Sequence, residues 1–340
     1  QCLSRSHACG RGVGERGALM TRPESPHSVP TETGVSTLPC PVFLTGATGF
    51  IGRRLVSMLL DARCEVAALV HPEETYPLPP EVRTFVGDVT DGVAVGRAVE
   101  SVQPAGIVHL AAIGTANIGL PMRDACRGNV DGVIALLEAT RRVATVRRVV
   151  MIGTSYEYGA RRSDDALDPF NPYSASKIAA WAFARAAYNS WKTPLVWVRP
   201  FQVYGPGQHR KALIPSAIYA ALHDADFPMT GGEQQRDFVY VDDVARGLIA
   251  ALRAPHVEGR ALDLGTGTLY RVLDVVERIW ALTQSRGRIQ AGALSYRPGE
   301  VSAIPANAHR TRMLTGWEAA VKLDEGLRLT IDHVAEAEHV

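Results

Sequence analysis

Thr45-Gly46-Ala47-Thr48-Gly49-Phe50-Ile51-Gly52 follows the apolar run Pro41 to Leu44 and opens an amphipathic stretch from Phe50 to Leu60. A strand, a glycine turn and a helix N-terminus together make an anion site. Backbone N–H groups point outward there, and the helix dipole favours negative charge. Glycines let the backbone approach a pyrophosphate and let the helix pack on the strand. The spacing is G-x-x-G-x-x-G rather than G-x-G-x-x-G. Taken alone, such a glycine turn is weak evidence, since a tight strand-to-helix turn is the alternative.

Tyr173-Ser174-Ala175-Ser176-Lys177 narrows that choice. Residues i and i+4 of a helix face the same way, so Tyr173 and Lys177 are expected to be neighbours. A free tyrosine keeps its proton to a pH of about 10, and a nearby ammonium lowers that value. A tyrosine so placed serves as an acid or base near neutrality. Upstream, Val149-Val150-Met151-Ile152-Gly153 reads as a buried strand that delivers Thr154 and Ser155 to its C-terminal end. In a parallel sheet that end is where ligands bind. A Tyr/Lys pair by itself is also a common solvated helix face; its order after the glycine turn favours a site.

These segments belong to a longer series. Its pieces are Gly87-Asp88-Val89-Thr90-Asp91, His109-Leu110-Ala111-Ala112, Asn129-Val130-Asp131-Gly132, Thr154 to Gly159 and Pro172 to Lys177. Arg199-Pro200-Phe201-Gln202-Val203-Tyr204-Gly205-Pro206-Gly207, Arg236-Asp237-Phe238-Val239-Tyr240-Val241-Asp242-Asp243 and Arg297-Pro298-Gly299-Glu300 follow. In this order, from about Val42 to Ile331, the chain resembles an extended short-chain dehydrogenase/reductase of the NAD-dependent epimerase/dehydratase family, whose usual substrates are nucleotide sugars.

The resemblance implies a set of roles. Gly46, Thr48, Gly49, Phe50, Ile51, Gly52, His71, Asp88 and Val89 would bind a dinucleotide, with Leu110, Ala111, Ala112, Pro200 and Val203. Asp88 would sit near the adenine; its alternative role is to cap the following helix. Thr154 would hydrogen-bond the sugar oxygen, and Tyr173 would exchange a proton with it. Lys177 would lower the tyrosine pKa and bind the nicotinamide ribose. Ser155, Tyr156, Gln202, Arg236, Arg297 and Glu300 would contact the substrate. Arginine suits the diphosphate because its fork pairs with two oxygens at once. Surface ion pairing is the alternative role for these charged residues.

Composition is that of a soluble enzyme. The chain has 340 residues and a formal net charge of +1, which gives no electrostatic case for nucleic acid or a membrane surface. No apolar run approaches the ~20 residues needed to span a bilayer. Cys2, Cys9, Cys40, Cys64 and Cys126 show no Cys-x-x-Cys pair and no cysteine/histidine cluster. That argues against a metal site or a disulfide framework and fits a reducing cytoplasm. Gln1 to Leu19 lack periodicity and an apolar core, so no signal peptide is read there, and Met20 is a candidate start. Residues 21–39 are rich in Pro, Ser and Thr, and residues 1–40 are expected to be a disordered extension.

From Pro41 onward strand and helix alternate. Strands are expected at 42–45, 65–70, 83–87, 106–110, 147–153 and 194–198, and helices at 50–62, 91–103, 122–143 and 173–191. Short buried strands alternating with longer helices predict an α/β fold, a Rossmann-type doubly wound parallel sheet. Residues 41–198 would form the NAD(P)-binding domain, and 199–335 mainly a smaller C-terminal substrate lobe interleaved with the last strands. By resemblance, the helices near 122–143 and 173–191 would pair two copies into a homodimer.

NAD-specific relatives usually end the second strand with a carboxylate for the ribose hydroxyls. Here Glu65-Val66-Ala67-Ala68-Leu69-Val70 ends in valine, then His71, which favours NADP(H) with NAD(H) as the alternative. His71, Arg53 and Arg54 are candidate partners for a 2′-phosphate. The 4,6-dehydratases resembled here carry a glutamate two residues before the tyrosine of the Tyr-Gly pair. In Thr154-Ser155-Tyr156-Glu157-Tyr158-Gly159 that acid is absent, or displaced by one position to Glu157. Glu157 beside Tyr158 is similar to reductases of 4-keto-6-deoxy nucleotide sugars. The expected activity is therefore 4-ketoreduction; the alternatives are a 4-epimerase with bound NAD, then a dehydratase or decarboxylase, then a non-catalytic dinucleotide sensor.

Overall fold

The computed structural model describes residues 37–114, 120–159, 167–296 and 305–338. The expected extension at 1–40 falls almost entirely outside these residues, as do Arg297 and Glu300. The strands are β1 (Val42–Thr45), β2 (Val66–Val70), β3 (Arg83–Val86), β4 (Gly106–His109), β5 (Arg148–Ile152), β6 (Leu195–Pro200), β7 (Gln202–Tyr204), β8 (Phe227–Met229), β9 (Gln235–Arg236), β10 (Phe238–Tyr240), β11 (Ala261–Leu264), β12 (Tyr270–Arg271) and β13 (Ile289–Ala291). The helices are α1 (Phe50–Asp61), α2 (Gly92–Val102), α3 (Met122–Cys126), α4 (Gly132–Thr140), α5 (Pro172–Trp191), α6 (Leu213–Leu222), α7 (Val241–Arg253), α8 (Val272–Thr283), α9 (Ala308–Thr315) and α10 (Leu323–Glu338).

Seven strands form one sheet in the order β11-β6-β5-β4-β1-β2-β3. Every pairing in it is parallel. The six strands expected from sequence are all present, each within two residues of its expected ends, and the fold class is as expected. Alternation explains why the central strands read as unbroken apolar runs. In β1, Val42 and Leu44 pack on the α1 and α7 side with Leu55, Leu59, Val244 and Leu248. Phe43 packs on the opposite side with Val99, Leu136, Ala180 and Ala184. Both faces are buried, so neither can be polar. Helix α1 turns Gly52, Leu55, Val56 and Leu59 to this core, the spacing of a single helical face.

Residues after β6 build a third core. Tyr204, Ile218, Phe238, Tyr240, Val276 and Ile279 cluster there between α6, α8 and α10. Three two-stranded pairs, β7 with β10, β8 with β13 and β9 with β12, flank it. The buried acids of the Arg236 to Asp243 motif hold backbone in this region. Asp237 accepts from the N–H groups of Thr266, Gly267 and Ala306 at 2.8, 2.8 and 3.1 Å. Asp243 accepts from Ala320 and Val321, both at 2.9 Å.

Two local expectations are corrected. The helix expected at 122–143 is broken by a π-turn at Arg127–Asp131, within which the Asn129 side chain pairs with the Ile113 backbone. Cys40 and Cys64 are joined in a disulfide with Cα atoms 5.6 Å apart, against the reading of unpaired cysteines. The cause is register: β1 pairs with β2 through Val42 and Val66, which sets the residues two before each side by side. This pairing removes the cysteine argument for a reducing compartment. Among the described residues Cys126 is free, and no helix is long and apolar enough to cross a membrane.

The three glycines of the turn differ in what they require. Gly46 sits at φ +70°, and a Cβ there would lie 2.6 Å from the Ala111 nitrogen. A Cβ on Gly52 would lie 2.1 Å from the Gly46 carbonyl oxygen. Gly49 has φ −72° and its nearest contact would be 3.3 Å. Gly52→Ala should therefore cost at least about 1–3 kcal/mol, the usual range for forced overpacking. Gly49→Ala should leave stability nearly unchanged. Equilibrium urea unfolding of the two variants checks the difference.

Candidate active site

Sheet order reverses between β1 and β4, and the carboxyl ends of these strands open a crevice. A cavity of about 690 Å³ lies there. Gly46, Thr48, Gly49, Phe50, Ile51 and Gly52 form one wall, with Val70 and His71 from the end of β2. Asp88 and Val89 line it from beyond β3, and Leu110, Ala111 and Ala112 from beyond β4. Thr154, Ser155, Tyr156 and Tyr173 line its far end, with Pro200, Gln202 and Val203. Sequence reasoning thus gathers most of its candidates around one space. Lys177 is buried and lies outside the cavity wall, as does Arg236, whose guanidinium donates to the Gln235 carbonyl on β9.

The cavity suits a dinucleotide. Gly49 caps α1 without a side-chain hydrogen bond, so the first-turn N–H groups have no side-chain acceptor and are available to an anion. The lack of a Cβ at Gly46 lets the turn lie against Leu110 and Ala111, just beyond β4. Asp88 accepts from Thr90 N–H at 2.8 Å, which holds its carboxyl below the usual range. The capping role falls instead to Asp91, whose carboxylate accepts from Val93 and Ala94 at the start of α2. Of the candidate phosphate partners, Arg54 is clamped by both oxygens of Asp242 at 2.6 Å. Arg53 donates to the Gly207 carbonyl at 2.7 Å.

The far end is set by β5 and α5. Asn171 caps α5 through Ser174 N–H at 2.8 Å, Pro172 follows it, and Tyr173 and Lys177 fall on one buried face. Thr154 begins the short 3-10 turn Ser155–Glu157 and accepts from Tyr156 N–H at 3.3 Å. Its hydroxyl favours the Tyr173 phenolate, though less than burial opposes it. The Lys177 ammonium donates to the Ile152 carbonyl at 3.1 Å. Burial lowers its pKa to about 8, against the opposing pull of Glu157. The expectation that Tyr173 has a lowered pKa is corrected: burial raises it, and Glu157 and Tyr156 add to the rise. A charged phenolate loses its hydration there and faces a carboxylate.

Glu157 is not displaced into the cavity as an elimination acid. It is fully buried, accepting from Thr154 N–H at 2.9 Å, Trp197 Nε1 at 3.0 Å and Arg199 Nε at 2.7 Å. Gly153 makes the room, since a Cβ there would lie 2.2 Å from both the Glu157 Oε1 and Trp197 Nε1 atoms. Arg199 donates on to the Tyr158 hydroxyl at 3.2 Å, which donates to Asp263 at 2.8 Å. Asn129 is a second residue whose role the sequence leaves unassigned. Its side chain ties Ile113 to Ser176 of α5 and so fixes the helix that carries Tyr173.

Two measurements follow from this geometry. Glu157→Gln removes the counterion of a buried guanidinium and should cost about 3–5 kcal/mol in urea unfolding. His109 is also fully buried; Thr45 Oγ1 lies 2.8 Å from its Nδ1, and burial, helped by the Lys177 charge, drops its pKa to about 3. The unfolded chain takes up a proton near pH 6.5 that the native imidazole refuses until about 3. Stability from this group is therefore full above pH 6.5 and falls through that window, by at most about 1.4 kcal/mol per pH unit. His109→Gln should flatten the acid limb of a Tm-against-pH curve.

The sequence matches the family described as NAD dependent epimerase/dehydratase over residues 42–265. It is 28% identical over 321 residues to a dTDP-glucose 4,6-dehydratase of Xanthomonas campestris, covering 85% of this chain and 91% of that protein. The structure of MoeE5 in complex with UDP-glucuronic acid and NAD superposes with a TM-score of 0.78 at 30% identity, covering 87% of this chain and 99% of the other. A UDP-glucose 4-epimerase of Thermus thermophilus in complex with NAD gives 0.77 at 28% identity, with the same coverage. With more than half its length matched and the glycine turn and Tyr173 facing one cavity, the chain belongs to the NAD-dependent epimerase/dehydratase family.

Proposed function

We propose that this chain interconverts an alcohol and its ketone at C4 of a nucleotide-linked hexose, with 4-epimerisation as the net reaction. The observation that carries the chemistry is the division of roles after β5. Thr154 and Tyr173 face the cavity, whereas the Glu157 carboxylate is buried against Arg199. Expelling a C6 hydroxyl needs an acid within hydrogen-bond reach, and Tyr156 stands where the dehydratases carry one. Solved relatives at 28 and 30% identity that hold NAD, one of them a UDP-glucose 4-epimerase, support epimerisation and a uridine nucleotide.

In this reading residues 41–198 hold the cofactor and 199–335 mainly the substrate. The glycine turn and the α1 N-terminus hold the pyrophosphate, and Asp88 and Val89 flank the adenine. Bound NAD(H) supplies the hydride exchange. Thr154 donates a hydrogen bond to the C4 oxygen, and Tyr173 exchanges the proton on it. Burial and the Glu157 charge keep the Tyr173 phenol protonated at neutral pH, so it is set to donate. Proton removal from an alcohol then needs positive charge close to the phenol. Lys177, one helical turn on and titrating near pH 8, supplies it. Gln202, from the cavity wall, binds the nucleotide diphosphate with Arg236 and Arg297, and Glu300 accepts from a ribose hydroxyl. Helices α4 and α5 pair two copies; Phe183 and Trp191 of α5 are exposed.

Ketoreduction of a 4-keto-6-deoxy sugar is the second reading. The raised Tyr173 pKa favours it, because proton donation is the step that ends a ketone reduction. One spectrophotometric assay separates the two. With UDP-hexoses, the epimerase forms the C4 epimer with no net change at the reduced-nicotinamide band. A reductase consumes NADH or NADPH stoichiometrically with a 4-keto-6-deoxy substrate. Tyr173→Phe should lower either turnover by about 10²–10⁴-fold while nucleotide-sugar binding persists. Near-normal turnover in that variant would move the chemistry elsewhere.

A further inference from the structure

Strand β2 ends at Val70 and His71, and neither offers a carboxylate to a ribose diol. The chain then folds back, with Glu74 N–H donating to the His71 carbonyl at 2.9 Å. This carries the Glu74 side chain to the wall of the same cavity as the glycine turn. There Thr48 Oγ1 donates to its Oε2 at 3.1 Å, across 26 residues of sequence. The other oxygen accepts from Thr75 and Tyr76 N–H at 3.0 and 3.1 Å. These bonds, that from Tyr76 first, hold the carboxyl below the usual carboxylate range, so it is ionised at neutral pH. A carboxylate oxygen with one donor retains capacity for another.

The three cations nearest the end of β2, Arg53, Arg54 and His71, are engaged. Arg54 is clamped by Asp242. Arg53 lies 4.5 Å over the Tyr76 ring and donates to Gly207. His71 Nε2 stands 4.0 Å from an oxygen of Asp88, itself on the cavity wall. Two carboxylates, Glu74 and Asp88, thus face this end, with the Arg127 guanidinium on the wall near Asp88.

We infer that Glu74 supplies from a loop the carboxylate that the end of β2 lacks, accepting a hydroxyl of the adenosine ribose and repelling a 2′-phosphate, so that the chain selects NAD(H) over NADP(H). This reverses the NADP(H) preference read from Val70 and His71. It rests on the dinucleotide reading of the glycine turn in the proposed function and deepens it by naming the cofactor.

The test is binding, measured by calorimetry on the full chain with NAD⁺, NADP⁺, ADP-ribose and 2′-phospho-ADP-ribose. The wild-type protein should bind NAD⁺ and ADP-ribose at least about tenfold tighter than their 2′-phosphorylated forms, as expected for an unpaired charge facing a charge. Glu74→Gln keeps the acceptor for Thr48 and should shrink both ratios about tenfold, chiefly through tighter binding of the phosphorylated ligands. Glu74→Asp should restore part of the discrimination. Ratios unchanged in Glu74→Gln would reduce the residue to a loop tie and overturn the inference. Wild-type preference for NADP⁺ would overturn it while leaving the dinucleotide site intact. Binding of none of the four ligands would overturn that site and the inference together.

Discussion

A carboxylate without solvent exposure lies directly beneath the residues that face the cavity, and much of the site's order follows from having to satisfy it. Transferring an ion from water to a protein interior costs several kcal/mol unless charge and hydrogen bonds replace its hydration. Glu157 obtains these from Arg199, from the Trp197 indole and from the Thr154 backbone. Each partner has a further tie. Trp197 sits in the core beneath α4 and α5, and Arg199 reaches Asp263 of β11 through the Tyr158 hydroxyl. The loop that presents Thr154 is therefore bonded into three adjacent strands, a firmer support than its own short turn could give.

The acidic residues of and around these segments divide by exposure rather than by motif. Glu157, Asp237 and Asp243 are buried and hold backbone or guanidinium groups; Asp88 and Glu74 face the cavity. A buried carboxylate surrounded by donors has no free lone pair for a substrate, whereas one at a cavity wall does. This is why Glu157, next to the tyrosine pair in sequence, is a support, while Glu74, in a loop that carries no motif, has the chemistry to meet a ligand.

How much of this is legible in the chain depends on whether the information is local. The central strands are readable because both faces are buried, which forces runs such as Val149 to Ile152 to be apolar throughout. The glycine turn is readable because Gly46 and Gly52 answer steric demands that no other side chain meets. That Tyr173 and Lys177 share one face of a helix is readable from their spacing. Pairings set by register or by loop return are not. Cys40 meets Cys64 only because β1 lies beside β2, and Glu74 meets Thr48 only because the chain reverses after His71. Burial is the third gap: Glu157 looks the same in sequence whether it faces water or Arg199.

The bond between Cys40 and Cys64 closes a ring of chain with a sequence separation of 24 residues. Inside that ring lie all of β1, the glycine turn and α1. A protease that cut one peptide bond between the two cysteines would therefore release nothing: both pieces would stay tethered, and the mass would rise only by the water added. The segment that carries the glycine turn would be nicked but retained, and its two halves would part on unfolding only after a thiol had opened the ring.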